Sequence, residues 1–439
     1  MKRPEGARFL ASDGAITAPG AFAADVAHNA ARIGARGWRS AVFHAEDAYW
    51  FAVGLHATLG AGAEIVLPPN ALPETLRIFG ADAEGLVLAP GETVEGKGAA
   101  LRLESAPVGT GGRPIAIEPE AARLVFCTSG STGEPKRIRK RLVHLQREVA
   151  AIEQAFGAGA GPGGIVATVA CHHIYGLLYR VLWPLASGRA LARDAIVHWS
   201  SLLPVLEPGA IVVSSPAHLT RLASLPALAA GRRPSAVFSS GGPLPLEAAR
   251  EAARVFGTLP IEVLGSTETG GVGYRRQHEA EARWTVFPGI GLEIAPSGVL
   301  RVRSSYFDEP HLDMGDVAIL EAGGFRLGAR ADRVVKIEGK RLSLPELEAA
   351  LVATPWIAEA ATVVIPGARA VVGAVVALAA EGRALLEAKG RSRATREIRA
   401  ALGARFEPVT LPKRWRFVER VPVNSQGKRV QADILALFG

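Results

Sequence analysis

Cysteine is nearly absent: the only two, Cys127 and Cys171, each lie inside an apolar run. Thiols placed this way read as small buried hydrophobes of a protein from a reducing compartment. Long hydrophobic runs are missing too. The longest, Ala370 to Ala380, is too short to span a bilayer, which excludes a membrane span. Met1 to Gly14 has basic residues without an apolar segment, so it does not read as a secretory signal. Charged residues make up 21% and apolar ones 49%, which argues against disorder and provides ample core. A soluble, cytoplasmic protein is expected, with about three domain-sized units or one large domain and a small one in 439 residues.

The net charge of +8 is unevenly placed. Arg333 to Gly439 holds 18 Lys and Arg against 10 Asp and Glu, whereas the preceding residues carry 32 of each sign. An anionic partner is therefore expected at the last quarter of the chain. No interleaving of basic and aromatic residues supports nucleic acid, so a phosphorylated cofactor or an acidic carrier protein fits better.

The chain is organised around Leu124 to Lys136, LVFCTSGSTGEPK. A β-branched and aromatic run predicts a buried strand, which ends in a loop of Ser, Thr and Gly. Its hydroxyls, closely spaced N–H groups and small glycines suit a polyphosphate, and Lys136 adds a cation. Gly130 and Gly133 are too close for a Walker A loop and no Lys-Ser/Thr pair follows, which argues against a P-loop ATPase. Upstream, strands at Arg39–His44, Glu64–Leu67 and Gly85–Leu88 alternate with helices at Asp47–Leu59 and near Pro73–Phe79, predicting a parallel sheet with crossover helices. Arg137 to Arg141 carries four cations in five residues and reads mostly as a solvated edge. Beyond it, Leu145, Val149, Ile152 and Phe156 keep helical spacing.

Further strands are expected at Ile165–Ala170, Gly209–Ser215 and Ala236–Ser240, and a helix at Leu246–Phe256. The first strand runs into CHHIYG, Cys171 to Gly176, where no Cys or carboxylate set accompanies the His pair to bind a metal. The third leads to the turn Gly241-Gly242-Pro243. Ile261 begins a strand ending in Gly265-Ser266-Thr267-Glu268-Thr269-Gly270, where a carboxylate flanked by hydroxyls can hold Mg²⁺ with phosphate oxygens completing its shell. Ser343-Leu344-Pro345-Glu346 makes a capping box whose helix turns Leu347 and Leu351 inward. Strands at Thr362–Ile365 and Val371–Leu378 and a helix at Ala394–Leu402 follow.

Taken in order, Thr128–Lys136, Cys171–Gly176, Gly241–Leu244, Gly265–Gly270, Leu312–Asp316, Gly328–Arg341 and Pro422–Lys428 resemble the motifs of the adenylate-forming enzymes, the superfamily of acyl- and aryl-CoA synthetases, amino-acid adenylation domains and luciferases. The resemblance covers nearly the whole chain. It implies an α/β fold: a large N-terminal domain, residues 1–330, of doubly wound βαβ subdomains with a small β-barrel-like subdomain, and a small mobile α+β C-terminal domain, residues 331–439, hinged at Asp332. The first subdomain is trimmed, since only about 120 residues precede the loop.

The resemblance also implies roles. ATP or AMP would be held by Thr128, Ser129, Gly130, Ser131, Thr132, Gly133, Gly241, Gly242, Pro243, Leu264, Gly265, Ser266, Asp316 (ribose) and Arg330. Glu268 would carry Mg²⁺, and Lys428, Lys136, Thr267 and Glu268 would be catalytic. His172, His173, Tyr175, Gly176, Ser240, Gly241 and Gly270 would line the acid pocket. No Asp lies between Ala167 and Arg193 to meet an ammonium, which favours a simple carboxylic acid over an amino acid. The chain departs from the family at Leu264, where a Tyr usually stacks on adenine, at Met314 (usually Thr), at Ala329 (usually Gly) and at Arg137 (usually Gly). Tyr274 is a candidate to replace the lost ring. The implied activity is an AMP-forming ligation of an acid to the thiol of CoA or of a phosphopantetheine on an acidic acyl carrier protein. The acid expected is hydroxybenzoate-like, with medium-chain fatty acids and an impaired nucleotide-binding regulatory protein as alternatives.

Overall fold

The computed structural model describes residues 8–10, 16–17, 19–70, 73–80, 83–92, 100–108, 115–129, 135–196, 198–279, 282–330, 333–337, 340–366, 370–403, 405–424 and 429–439. The alternation upstream of the Ser/Thr/Gly loop does build a parallel sheet. In spatial order its strands are Ala100–Arg102, Gly85–Leu88, Ser40–His44, Glu64–Leu67, Arg123–Ser129 and Pro135–Arg141. Every pair is parallel except the last, an antiparallel hairpin that puts Thr128 opposite Lys136. Helix Ala48–Gly60 crosses over between Ser40–His44 and Glu64–Leu67, and its N-cap Asp47 accepts the N–H of Trp50 at 3.0 Å.

The helix predicted by apolar spacing runs over Leu142–Ala160, with Leu145, Val149, Ile152 and Phe156 all buried. Together with residues of both large sheets it forms one continuous core, from Phe43 and Leu124 through to Ile211 and Phe238. Among the described residues the second sheet has nine strands, and its parallel centre comprises Ala190–Ala195, Ile165–Ala167, Ile211–Ser214, Ala236–Ser239 and Ile261–Ser266. The strand expected to reach Ala170 stops at Ala167. Thr168 still donates its N–H to Val213 at 3.0 Å, and the chain then leaves the ladder. The carboxyl ends of these strands face the crevice where open α/β sheets take ligands.

A four-stranded antiparallel sheet follows: Gly291–Ile294, Val299–Arg303, Leu312–Glu321 and Gly324–Arg330. From Arg333 onward the chain has its own apolar core around Leu347, Val372, Val376, Ile398 and Trp415. Ser343 caps helix Leu344–Val352 by accepting the Glu346 N–H at 3.3 Å, and Leu347 and Leu351 are buried as the box predicts. The strand expected from Thr362 begins at Ile357. The helix expected from Ala394 begins at Ala380 and is broken at Gly390, whose φ is 73°. Among the described residues no helix is long and apolar enough to cross a membrane.

Candidate functional site

Two turns from different sheets meet at the strand ends. Lys136 opens the second arm of the loop hairpin, and its Nζ donates to Glu268 Oε1 at 2.6 Å across 132 residues of sequence. Glu268 lies between strands Ile261–Ser266 and Gly270–Arg276. Burial pushes its carboxyl up, but the Lys136 hydrogen bond and charge, with the Ser266 hydroxyl and a backbone N–H, hold it below the usual value. The turn is pinned by reciprocal bonds, Ser266 N–H to Thr269 Oγ1 at 3.2 Å and Thr269 N–H to Ser266 Oγ at 3.1 Å. Gly265 allows the strands to close, because a Cβ there would overlap the Gly270 carbonyl oxygen. Thr267 is half-buried beside Glu268. An ionised carboxylate with neighbouring hydroxyls fits Mg²⁺, which needs only one or two carboxylates when phosphates supply other ligands. Among the described residues no cluster of three or more His, Cys, Asp or Glu offers an all-protein metal cage.

The basic run after Lys136 is the solvated edge expected only at Arg137 and Arg139. Strand pleating separates it: Arg137 and Arg139 face outward, whereas Lys140 is 2% exposed. Lys140 Nζ donates to the carbonyls of Glu268 at 2.8 Å and Tyr306 at 2.9 Å, tying the loop hairpin to the Glu268 turn and the small sheet. Burial pulls its pKa below the ordinary lysine value against the carboxylates of Glu148 and Glu268. Arg141 binds Glu120 and Asp308.

The turn expected at adenine has Gly241 at φ 95°. It is braced from beneath. Leu244 donates its N–H to Glu262 at 3.3 Å, Gln277 donates to the Leu244 carbonyl at 2.9 Å, and buried Glu262 pairs with Arg275 at 3.0 Å. Ser240 Oγ donates to the Val263 carbonyl at 2.8 Å, joining this turn to the strand that leads to Glu268. Gly242 and Pro243 stay exposed. Leu264 packs toward the small sheet's core, in the cluster that buries Met314. Tyr274 does not replace the missing ring. It points into the other core, 4.8 Å from Phe156 and 5.1 Å from Phe287 between ring centroids, because it pairs with Val263 rather than Leu264. Asp316 and Arg330 are cross-strand partners in the small sheet. Gly130 to Gly133, with Ser131 and Thr132, lie outside the described residues, as do Asp332 and Lys428, while Thr128 and Ser129 end their strand.

His172 and His173 lie with ring centroids 4.1 Å apart, and His44, from the first sheet, is 5.4 Å from His172. Burial, then the His173 and His44 charges, push His172 well below the ordinary imidazole value, so it is neutral at pH 7. Gly176 has no room for a side chain, since a Cβ would overlap the Ala170 carbonyl oxygen. After it, Leu177–Leu182 forms a wide π-helical turn, a feature frequent at functional sites. That turn sets the Tyr179 ring tilted against Tyr175 at 5.0 Å and against Phe238 at 5.2 Å between centroids. Arg180, 1% exposed, ties it to the Val169 and Arg193 carbonyls at 3.0 and 2.7 Å.

Sequence reasoning missed Lys140, Glu148, Tyr179 and Arg180. Tyr179 was findable, standing four residues from Tyr175. Glu148 sits on helix Leu142–Ala160 and is the one acid there facing the core. Its Oε1 accepts the Gly271 N–H at 2.5 Å, and its Oε2 and the Tyr179 hydroxyl have no partner among the described residues. A buried polar atom left this way costs about 1–3 kcal/mol.

Comparison with known proteins follows from this geometry. Residues 61–303 match the family of AMP-binding enzymes, and 346–428 match the AMP-binding enzyme C-terminal domain. A 4-coumarate–CoA ligase of Rhodobacter capsulatus is 30% identical over 72% of this chain and 76% of its own. The structure of ATP-bound MatB from Rhodopseudomonas palustris superposes with a TM-score of 0.81 at 19% identity, covering 100% of this chain and 96% of that one. The o-succinylbenzoate CoA synthetase of Bacillus subtilis, solved with its acyl-adenylate, reaches 0.77 at 16% identity over 99% and 96%. At those identities the superpositions show the shared fold.

Proposed function

Because this chain belongs to the AMP-binding enzyme family and is an ATP-dependent, AMP-forming acid–thiol ligase, we propose that it activates an aryl acid of hydroxybenzoate type at the crevice between Lys136, Glu268 and the His172–Gly176 segment. The observation that carries the placement is the 2.6 Å contact of Lys136 with Glu268, which brings a cation and an ionised carboxylate to the same strand ends. The aromatic wall of Tyr175, Tyr179 and Phe238 supports an aryl substrate, as does the 4-coumarate ligase relative.

The chemistry has two steps. A carboxylate oxygen of the acid attacks the α-phosphorus of ATP, forming an acyl-adenylate and expelling pyrophosphate. A thiol of CoA, having lost its proton, then attacks the acyl carbonyl and AMP leaves. The first step brings two anions together. In our reading Lys136, the hydroxyls of the Thr128–Thr132 loop and Lys428 offset that repulsion, and Asp316 and Arg330 hold the ribose and phosphate end. Glu268 and Thr267 would hold Mg²⁺, which when bound supplies positive charge to the phosphate oxygens. Neutral His172 and its partner His173 orient the acid. The second step needs Lys428 withdrawn, which we assign to rotation of residues 331–439 about Asp332. An acidic acyl carrier protein in place of CoA is the variant that the basic last quarter favours.

The test is ATP–pyrophosphate exchange over a panel of aryl and medium-chain acids, repeated with Lys428→Ala. A unit charge pair about 4 Å apart at an effective ε of about 20 is worth roughly 4 kcal/mol. Exchange is therefore expected to fall by roughly a thousandfold in the variant. Exchange with no acid at all would reject adenylation at this site. ATP binding without exchange would instead mark a nucleotide-binding protein that has lost turnover, the reading that Leu264 keeps open.

A further inference from the structure

Glu148 is a buried carboxyl group with only half of its hydrogen-bonding shell filled among the described residues. Its helix holds it against Gly270 and Gly271, so tightly that a Cβ on Gly270 would lie 2.7 Å from Oε2. Gly270 and Gly271 begin the strand that follows Glu268, so Glu148 lies directly behind the turn proposed to hold the triphosphate. The helix that carries Glu148 packs against the wide turn that carries Tyr179, and the Tyr179 ring lies tilted against Tyr175 of the acid-pocket segment. Both Glu148 Oε2 and the Tyr179 hydroxyl are buried without a partner among the described residues. Phe238 closes the group from the neighbouring strand. An apolar acyl chain laid against this wall would leave both polar atoms unmet.

We propose that Glu148 and Tyr179 form a second polar pole of the acid pocket, which recognises a neutral hydroxyl carried on the body of the acid, away from its carboxylate. This rests on the placement of the acid pocket proposed above and names the substituent that pocket selects. A hydroxyl both donates and accepts, so it satisfies a carboxyl oxygen and a phenol together. A cationic substituent is disfavoured by the buried Lys140 ammonium, whose charge also reaches Glu148. An anionic substituent would confront the Glu148 carboxyl itself. A site built to hydrogen-bond a hydroxyl discriminates strongly against the analogue lacking it, because its own polar groups are then left unpaired.

The experiment uses the full-length enzyme and size-matched acids: benzoate with 3- and 4-hydroxybenzoate, hexanoate with 6-hydroxyhexanoate, and 4-(aminomethyl)benzoate and terephthalate as charged members. ATP–pyrophosphate exchange and the rise in Tm on adding each acid are both read. The hydroxylated member of at least one pair is expected to exceed its parent in kcat/KM by at least about tenfold, and to give the larger rise in Tm. In Tyr179→Phe and Glu148→Gln that ratio is expected to fall toward one, with the loss in KM for the hydroxylated acid. Equal use of both members, an undiminished ratio in the variants, or preference for a charged acid would overturn the proposal. If the variants do not fold, the wild-type ratios alone decide it. Exchange without hydroxyl preference rejects only the polar pole, whereas absence of exchange with every acid rejects the underlying site and the pole with it.

Discussion

Lys140 carries more of the site's geometry than its place in a basic run suggests. Its ammonium is the shared donor to the carbonyls of Glu268 and Tyr306, so it fixes the height of the Glu268 turn above the loop hairpin. Lys140→Met keeps length and burial but leaves both carbonyls without that donor. Stability is expected to fall by about 1–3 kcal/mol for each carbonyl that stays dry, read as a drop in Tm. Exchange should fall further than stability explains, with most of the loss in kcat, because Glu268 loses its anchor. Lys136 is the contrast. It is 59% exposed, and its ion pair with Glu268 contributes little to stability, so it is expected to matter for chemistry alone. Nothing in a string of five residues distinguishes these two lysines. Both stand on the same face of strand Pro135–Arg141, and only tertiary cover separates them: the Glu268 turn and Tyr306 close over Lys140, whereas Lys136 stays exposed at the start of the strand.

At the scale of elements, local rules worked where local chemistry decides. The Ser343 cap, the strands Glu64–Leu67, Gly85–Leu88 and Val371–Leu378, and helix Leu246–Phe256 all appear where residue type and spacing predict them. Ser343→Ala should cost about 1 kcal/mol through loss of the bond to the Glu346 N–H, measured by denaturant unfolding. Other boundaries escaped because they depend on neighbours. Strand Ile165–Ala167 ends where its ladder with Ile211–Ser214 ends, and the segment Ala380–Leu402 is two helices that meet at a kink at Gly390. The wide turn at Leu177–Leu182 was invisible for the same reason. It exists because Gly176 is pressed against Ala170 while Arg180 is held by two carbonyls from other segments.

Over the whole molecule, charge and topology separate two tasks. The parallel sheets gather at strand ends the motifs proposed to bind nucleotide and acid, whereas the excess positive charge lies entirely within Arg333 to Gly439. Interactions between exposed charges are screened over about 10 Å at about 0.1 M ionic strength. The KM for CoA is therefore expected to rise severalfold between roughly 50 and 300 mM salt, while the KM for the acid, proposed to sit in a buried pocket, changes much less. Equal salt sensitivity of the two would assign the basic excess no part in thiol binding.

The order of polar motifs along the chain, the buried strand before the Ser/Thr/Gly loop and the apolar stripe of helix Leu142–Ala160 were legible in the sequence, since each depends on residues within a few positions of one another. That order also marked the family. Tertiary structure alone decided that Lys136 meets Glu268, that Lys140 is buried, that Tyr274 is spent on a core cluster, and that Glu148 and Tyr179 each bury a polar atom unmet among the described residues. Those contacts join residues far apart along the chain. Whether a polar side chain is solvated, paired or stranded depends on which atoms the fold brings around it, and spacing along the chain carries no record of that.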